Sequence, residues 1–146
     1  MQLSRYTDYS LRILIYLGIH RERLSSINEI ATCYNISQNH LMKIVHNLGK
    51  SGFITTVRGR RGGLQLNKKP EEITLSSVIR NSEESSRPIK CKACIIEDDC
   101  IIQDVVIKAF EAFYNVLNQY TLADAIRNRV KLETLFTQAN QKGCNP

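Results

Sequence analysis

The chain has 146 residues, of which 42% are hydrophobic and 23% are charged, and its formal net charge is +6. This composition is ordinary for a soluble globular protein of one domain, or of a small domain with an added element. No apolar run approaches the ~18 residues of a membrane span, and the first residues lack the apolar core of a signal peptide. We therefore expect a cytoplasmic protein with no membrane partner, in a reducing compartment where disulfides are rare.

Positive charge is concentrated in the N-terminal half of the chain. Residues 1–70 hold 11 Lys and Arg against 3 Asp and Glu, whereas residues 71–146 hold 9 against 11. A basic surface favours an anionic partner, most simply nucleic acid, although many basic surfaces are only solvated. Charge alone leaves both interpretations open.

Three helices are predicted in the basic half. Residues 4–20 have helical periodicity, and Ser26 with Glu29 forms a capping box at the start of a second helix. Ser37 suits the N-cap of a third helix, which Gly52 would end. In that third helix the apolar residues recur at the spacing of one buried face, namely Leu41, Ile44, Val45 and Leu48.

A hairpin is predicted after the third helix, in the stretch FITTVRGRRGGLQL. Its ends are rich in β-forming residues, and the glycines between them permit a turn that carries arginines. Three helices and a basic hairpin predict a winged helix-turn-helix, so the expected fold class is mainly α with a small β-hairpin wing. The third helix would enter the major groove, and the wing would reach phosphates or a minor groove. Eight residues are the predicted contacts with double-stranded DNA: Ser37, Gln38, Asn39, His40, Lys43, Arg58, Arg60 and Arg61.

The C-terminal half is predicted to hold a long helix at residues 101–119, with an apolar stripe along its length. A winged-helix domain of about 70 residues is too small to cover this helix, so the same helix of a second chain is its simplest partner. The resulting homodimer suits a pseudo-palindromic operator. Thr121 and Asp124 form a capping box that starts a last helix packing back on this unit. The predicted division is a DNA-binding domain at 1–80, a cysteine loop at 81–100, and a dimerisation helix with a C-terminal helix at 101–146.

Three cysteines, Cys91, Cys94 and Cys100, lie within ten residues. A short loop with this spacing brings three thiolates to one centre, and the lysines in it favour the thiolate form. From the residues alone, zinc, an iron–sulfur cluster, a thiol–disulfide switch and chance spacing all remain open. Cys33 is interpreted as a packed thiol and Cys144 as incidental. No histidine–carboxylate group or phosphate loop is visible in the sequence, so an enzyme is not predicted.

The chain resembles the IscR/NsrR family of iron–sulfur winged-helix repressors over nearly its whole length. The similarity runs through YTDYSLRILIYL, SQNHLMKIVHNL, VRGRRGGLQL, the three cysteines and QYTLADAI. The resemblance implies that Cys91, Cys94 and Cys100 hold a [4Fe–4S] cluster whose state sets the affinity for operator DNA. It also implies nitric oxide as the signal, with cluster damage releasing the operator. A [2Fe–2S] cluster and zinc are the alternative cofactors.

The resemblance also bears on the fourth ligand of the cluster. IscR-type members place a histidine three residues after the last cysteine, where this sequence has Gln103. The resemblance implies that Asp8 of the partner subunit completes the site, with Arg12 linking that ligand to the first helix. The alternative for Asp8 is local, because an acidic residue in the first turn suits the helix dipole and Arg12 stands at i+4 for a salt bridge. Both interpretations of Asp8 remain open at this point.

The sequence and the resemblance together predict a DNA-binding transcriptional repressor that senses nitric oxide through an iron–sulfur cluster. One alternative is a winged-helix regulator that responds to redox state, iron or zinc. The other is a metal or redox protein of the same fold that does not bind DNA. Binding to duplex DNA separates this last alternative from the first two.

Overall fold

The structure, a computed structural model, describes residues 2–83, 89, 95–96 and 100–143. Within these ranges it is mostly helical with one two-stranded antiparallel hairpin, and the predicted winged-helix fold class is confirmed. None of the described helices is long and apolar enough to cross a membrane. In chain order the elements are α1 (Arg5–Ile19), α2 (Ile27–Tyr34), α3 (Gln38–Lys50), β1 (Ile54–Val57), β2 (Gly63–Leu66), a 3-10 turn (Pro70–Glu72), α4 (Leu75–Ser82), α5 (Ile101–Asn118), α6 (Leu122–Ala125) and α7 (Arg129–Gly143).

The first helix, α1, lies at the centre of the domain and packs against α3, α4 and β2. The predicted apolar stripe of α3 faces this core, and burial of each such side chain stabilises the fold by about 1.5–3 kcal/mol. Burial of one face leaves the opposite face of α3 in solvent, as a DNA-reading helix requires. The buried residues of the stripe are Leu41, Ile44, Val45 and Leu48.

Local chemistry sets the ends of α2 and α3 where the sequence predicts them. The Ser26 hydroxyl accepts the backbone N–H of Glu29 at 3.1 Å, and the Glu29 carboxylate accepts the backbone N–H of Ser26 at 3.0 Å. These two bonds complete the predicted capping box. Ser37 is the N-cap of α3, although its side chain makes no capping bond. Gly52 follows the end of α3 with a φ of 75°, a left-handed conformation that favours glycine.

The long helix α5 packs against α4 through its second half. Tyr114 is the buried residue of α5, and the guanidinium carbon of Arg80 in α4 lies 3.7 Å from the centroid of its ring. At a rise of 1.5 Å per residue, α5 spans about 27 Å and α4 about 12 Å. Because α4 is so much shorter, it leaves the first half of α5 uncovered. After α5 the chain returns to the start of α4, where the backbone N–H of Leu122 donates to the carbonyl of Ile73 at 2.8 Å.

The end of the chain differs from its prediction. The capping box of Thr121 and Asp124 is present, but it opens only the four-residue α6, and a separate helix, α7, follows. Helix α7 packs mainly against α2. The ring centroid of Phe136 in α7 lies 5.2 Å from that of Tyr16 in α1 and 5.6 Å from that of Tyr34 in α2. The last helix therefore packs on the DNA-binding half and not on the long helix, where it was predicted to pack. The spacing of apolar residues shows which face of a helix is buried, but it does not show which surface covers that face.

Candidate nucleic-acid interface and cluster residues

The solvent face of α3 carries the residues predicted to read DNA. Ser37 makes no side-chain capping bond, so its hydroxyl is available for a phosphate. Gln38 is partly engaged, because one of its amide N–H groups donates to Oδ1 of Asn28 in α2. A row of exposed side chains at the N-terminal end of this helix is the arrangement through which helix-turn-helix proteins reach base edges. The exposed members of the predicted set are Ser37, Gln38, Asn39, His40 and Lys43.

The tip of the wing is a five-residue loop, 58–62, that presents arginines to solvent. Val57 pairs with Gly63 at the end of the hairpin. Gly59 has a φ of 113°, and a Cβ at Gly62 would lie 2.1 Å from the carbonyl oxygen of Val57, so both positions require glycine. The two glycines therefore allow the chain to turn tightly at the tip of the wing. Its exposed cations are the predicted phosphate contacts Arg58, Arg60 and Arg61.

One exposed side chain on the same face was absent from the predicted contacts. Met42 is 56% exposed. It borders an open hollow of about 430 Å³ that is also lined by Tyr6 of α1. A methionine in a sequence is normally interpreted as a core residue, so Met42 was not predicted to be exposed. Helical periodicity could have predicted its exposure, because Met42 falls outside the buried stripe that starts at Leu41.

Asp8 and Arg12 form the local ion pair that their spacing in α1 predicts. Nε of Arg12 donates to Oδ1 of Asp8 at 2.9 Å, and Nη2 lies 2.9 Å from Oδ2. The hydrogen bond to Asp8 raises the pKa of Arg12. The guanidinium carbon also lies 5.6 Å from the ring centroid of Tyr34, so Arg12 connects Asp8 to the end of α2. The Asp8 side chain is 47% exposed within this ion pair.

Glu83 fastens the end of α4 to the first turn of α1. Its Oε1 accepts the backbone N–H of Ser4 at 2.9 Å and the hydroxyl of the buried Thr7. Partial burial alone would raise the pKa of Glu83, but the hydrogen bonds from Thr7 and Ser4 outweigh it and hold the pKa below its usual value. The residue that leads into the cysteine segment is thus attached to the helix that carries Asp8. Sequence reasoning missed this contact, because Ser4 and Glu83 are 79 positions apart.

We expect Glu83→Gln to lower the free energy of unfolding at pH 7 by about 1–2 kcal/mol, since it removes the charge that strengthens two hydrogen bonds. The folded pKa of Glu83 lies below its unfolded pKa. Its contribution is therefore present above the unfolded pKa and is lost as the pH falls through the folded pKa. Urea unfolding of wild type and variant should converge in acid. Glu22→Gln, which changes an exposed carboxylate, is the control; equal effects of the two substitutions at every pH would contradict the assignment.

A family model described as "Rrf2: Iron-dependent Transcriptional regulator" matches residues 3–128, which is most of the chain. The chain belongs to the Rrf2 family. The HTH-type transcriptional regulator NsrR of Halalkalibacterium halodurans is 43% identical to it over 142 residues, covering 93% of this chain and 97% of the relative. The regulator of the same name from Bacillus subtilis is 42% identical over 142 residues, with the same coverage.

Solved structures agree with the Rrf2 assignment. CymR, the global cysteine regulator of B. subtilis, superimposes with a TM-score of 0.75 at 28% identity, over 88% of this chain and 98% of that one. IscR of T. potens superimposes with a TM-score of 0.73 at 27% identity, over 88% of each chain. This Rrf2 chain is therefore a DNA-binding transcriptional regulator and not an enzyme, as the sequence predicts.

Of the three clustered cysteines of this Rrf2 protein, the structure describes Cys100. Cys100 is half-buried at the N-cap of α5 and makes no side-chain capping bond. Cys91 and Cys94 lie outside the described residues, so the predicted convergence of the three thiols stays a prediction. Thiolates are the ligands that hold iron–sulfur clusters, so Cys100 is a suitable donor for one.

Proposed function

We propose that the protein is a homodimeric repressor that releases its operator when nitric oxide damages a [4Fe–4S] cluster. The proposed ligands are Cys91, Cys94 and Cys100 of one chain and Asp8 of the partner subunit. The observation that carries the proposal is the presence of three closely spaced cysteines in a chain that is 43% identical, over nearly its whole length, to a regulator named NsrR.

The exposed first half of α5 supports a second copy of the chain as the partner. Ile101, Ile102 and Val105 are 74%, 60% and 56% exposed, and they lie in the first five residues after Cys100. A contiguous apolar surface of this kind marks an interaction site. A second copy is favoured, because a regulator with one recognition helix per chain reads a two-fold operator as a symmetric dimer. A chain that covers this surface also comes close to the cluster residues.

Ligation by Asp8 would compete with its ion pair. Both carboxylate oxygens of Asp8 are held by Arg12 in its own chain, so binding to iron requires Asp8 to give up at least part of that pair. Arg12 also stacks over Tyr34, in the helix that precedes the recognition helix. A change at Asp8 is thereby passed to the DNA-binding helices. Carboxylate oxygen is a harder donor than thiolate, which makes Asp8 the most easily displaced of the four ligands.

When bound, the cluster supplies iron that nitric oxide attacks, a reaction that zinc with its filled d shell does not offer. The residues of the chain convert its loss into a change of DNA affinity. Glu83 joins the start of the cysteine segment to α1, and α1 packs on α3. In this proposal, a change at the cluster would be passed through Glu83 to α1 and would change the separation of the two recognition helices in the dimer. A displacement of several ångström breaks register with the two half-sites.

A mixed dimer tests ligation across the subunits. Chains carrying Cys94→Ala and chains carrying Asp8→Ala are given different affinity tags, refolded together without oxygen, and purified through both tags before iron and sulfide are added. If Asp8 acts in the partner's site, one site of the mixed dimer keeps four ligands and the other lacks two. We expect one cluster per dimer, with the absorption and circular-dichroism spectra of the wild type.

Two results would contradict the proposal. If Asp8 ligates within its own chain, each site of the mixed dimer lacks one ligand, and no wild-type spectrum is obtained. If Asp8 only pairs with Arg12, the Asp8→Ala homodimer has an unchanged spectrum and unchanged cluster stability. We expect instead that this homodimer assembles a cluster through its cysteines, with an altered spectrum and faster loss of iron.

A further inference from the structure

An apolar side chain stands in the middle of the predicted base-reading surface. Met42 lies one residue before Lys43 and four before His46, all on the exposed side of α3. The residues that interleave with them, Leu41 and Ile44, are buried. Met42 is not part of the hydrophobic core, because more than half of its side chain is exposed. Its solvent-exposed position on a DNA-binding helix therefore needs a different explanation from packing.

The surroundings of Met42 form a concave surface. The hollow beside it has a volume of about 430 Å³ and is lined by Tyr6, Met42, Lys43, His46 and Asn47. Its walls thus combine a thioether and an aromatic ring with a cation and two polar groups. A duplex edge offers the matching pattern, with phosphates for the lysine and a mixture of polar and apolar groups on the bases. The apolar group that bases present in the major groove is the 5-methyl group of thymine.

We propose that Met42 reads a thymine in each half-site of the operator, by packing its side chain against the 5-methyl group. The thioether is flexible and polarisable, so it adapts to an irregular apolar surface without a fixed hydrogen-bond geometry. Removing one methyl group from water contributes a factor of about four in affinity, on the basis of ~0.8 kcal/mol for each buried carbon. The proposal concerns the choice of base sequence and is independent of the cluster and its signal.

The test compares thymine with uracil, which differs only in lacking the 5-methyl group. The DNA is a duplex selected by the anaerobically prepared wild-type protein from a random pool, and each thymine in one half-site is replaced in turn by uracil. Binding of wild type and Met42→Ala is measured by competition at one fixed salt concentration. We expect one position at which uracil weakens wild-type binding about fourfold and leaves the binding of Met42→Ala unchanged.

Two further variants serve as controls for the comparison of thymine with uracil. Met42→Leu keeps an apolar side chain, so the uracil effect should persist. Lys43→Ala removes a charge beside the same hollow, and it should weaken binding to all duplexes alike while keeping the uracil effect. The melting temperature of Met42→Ala should equal that of the wild type, because the side chain is exposed. The proposal is overturned if every uracil duplex affects wild type and Met42→Ala equally, or if Met42→Ala binds the selected duplex as tightly as wild type does.

Discussion

Replacing any one of Cys91, Cys94 and Cys100 with Ala is expected to abolish stable cluster binding by anaerobically purified protein. Each removed thiolate leaves an iron site that water fills poorly, because oxygen donors are weaker ligands for the iron of such clusters than thiolate is. Iron and sulfide per chain, together with visible absorption, measure the effect. We expect values near those of a cluster-free protein for each of the three variants.

The other two cysteines provide matched controls for this experiment. Cys33→Ala and Cys144→Ala should keep the iron and sulfide content of the wild type, and Cys33 is a half-buried residue packed against the core of the DNA-binding half. The ligand assignment fails if Cys144→Ala lacks iron while Cys94→Ala keeps a full cluster. Wild-type protein that holds stoichiometric zinc and no sulfide would replace the iron–sulfur proposal with a zinc site.

Operator binding is expected to depend steeply on salt. Six to ten phosphate contacts correspond to a loss of roughly 10³–10⁵ in affinity between 50 and 200 mM salt. The exposed cations on the wing and on α3 are the source of this dependence. In the double variant Arg60→Ala with Arg61→Ala, the slope of log K against log salt should fall by about two, since each phosphate contact contributes about 0.9. Fluorescence anisotropy over a salt series measures this slope.

The control for the wing double variant removes an arginine charge at a position away from the predicted DNA contacts. Arg127 follows α6, where its exposed guanidinium pairs with Asp124. We expect Arg127→Ala to leave the salt slope unchanged. An unchanged slope in the wing double variant would remove Arg60 and Arg61 from the DNA contacts. A second comparison uses Asn39→Ala, which should alter the preferred base sequence and leave the slope intact, because an uncharged side chain releases no counterions.

The parts of the fold that sequence alone could predict are those governed by neighbouring residues. The capping box of Ser26 and Glu29 needs only a spacing of three, and the end of α3 at Gly52 needs only a residue that accepts a left-handed φ. The pairing of Asp8 with Arg12 likewise follows from one helical turn. In each case both interacting groups belong to the same local stretch of chain, so periodicity and residue type are sufficient.

The parts that escaped prediction depend on which surfaces meet in three dimensions. Phe136 marks an apolar face on α7, but nothing in its spacing identifies Tyr16 and Tyr34 as the rings that cover it. In the candidate site, too, contacts between different helices could not be predicted from the sequence. The bond from Gln38 to Asn28 restrains a predicted base contact, and its partner lies on another helix. Asp8 as the fourth ligand stays a prediction from the family resemblance, because a ligand supplied by a second chain has no local sequence pattern.

The bond between Glu83 and Ser4 closes the DNA-binding unit on itself, so that the chain enters and leaves this unit at one point. A unit whose two ends meet can be exchanged as a block without changing the geometry of what is attached to it. Exchange of residues 4–83 also has to preserve their packing against the later helices, because Phe136 of α7 lies against Tyr16 and Tyr34 and Arg80 lies over Tyr114 of α5. A regulator that acquires a new DNA-binding unit in this way therefore has to acquire matching surfaces on α5, α6 and α7 as well, so the choice of target genes and the C-terminal helices evolve together.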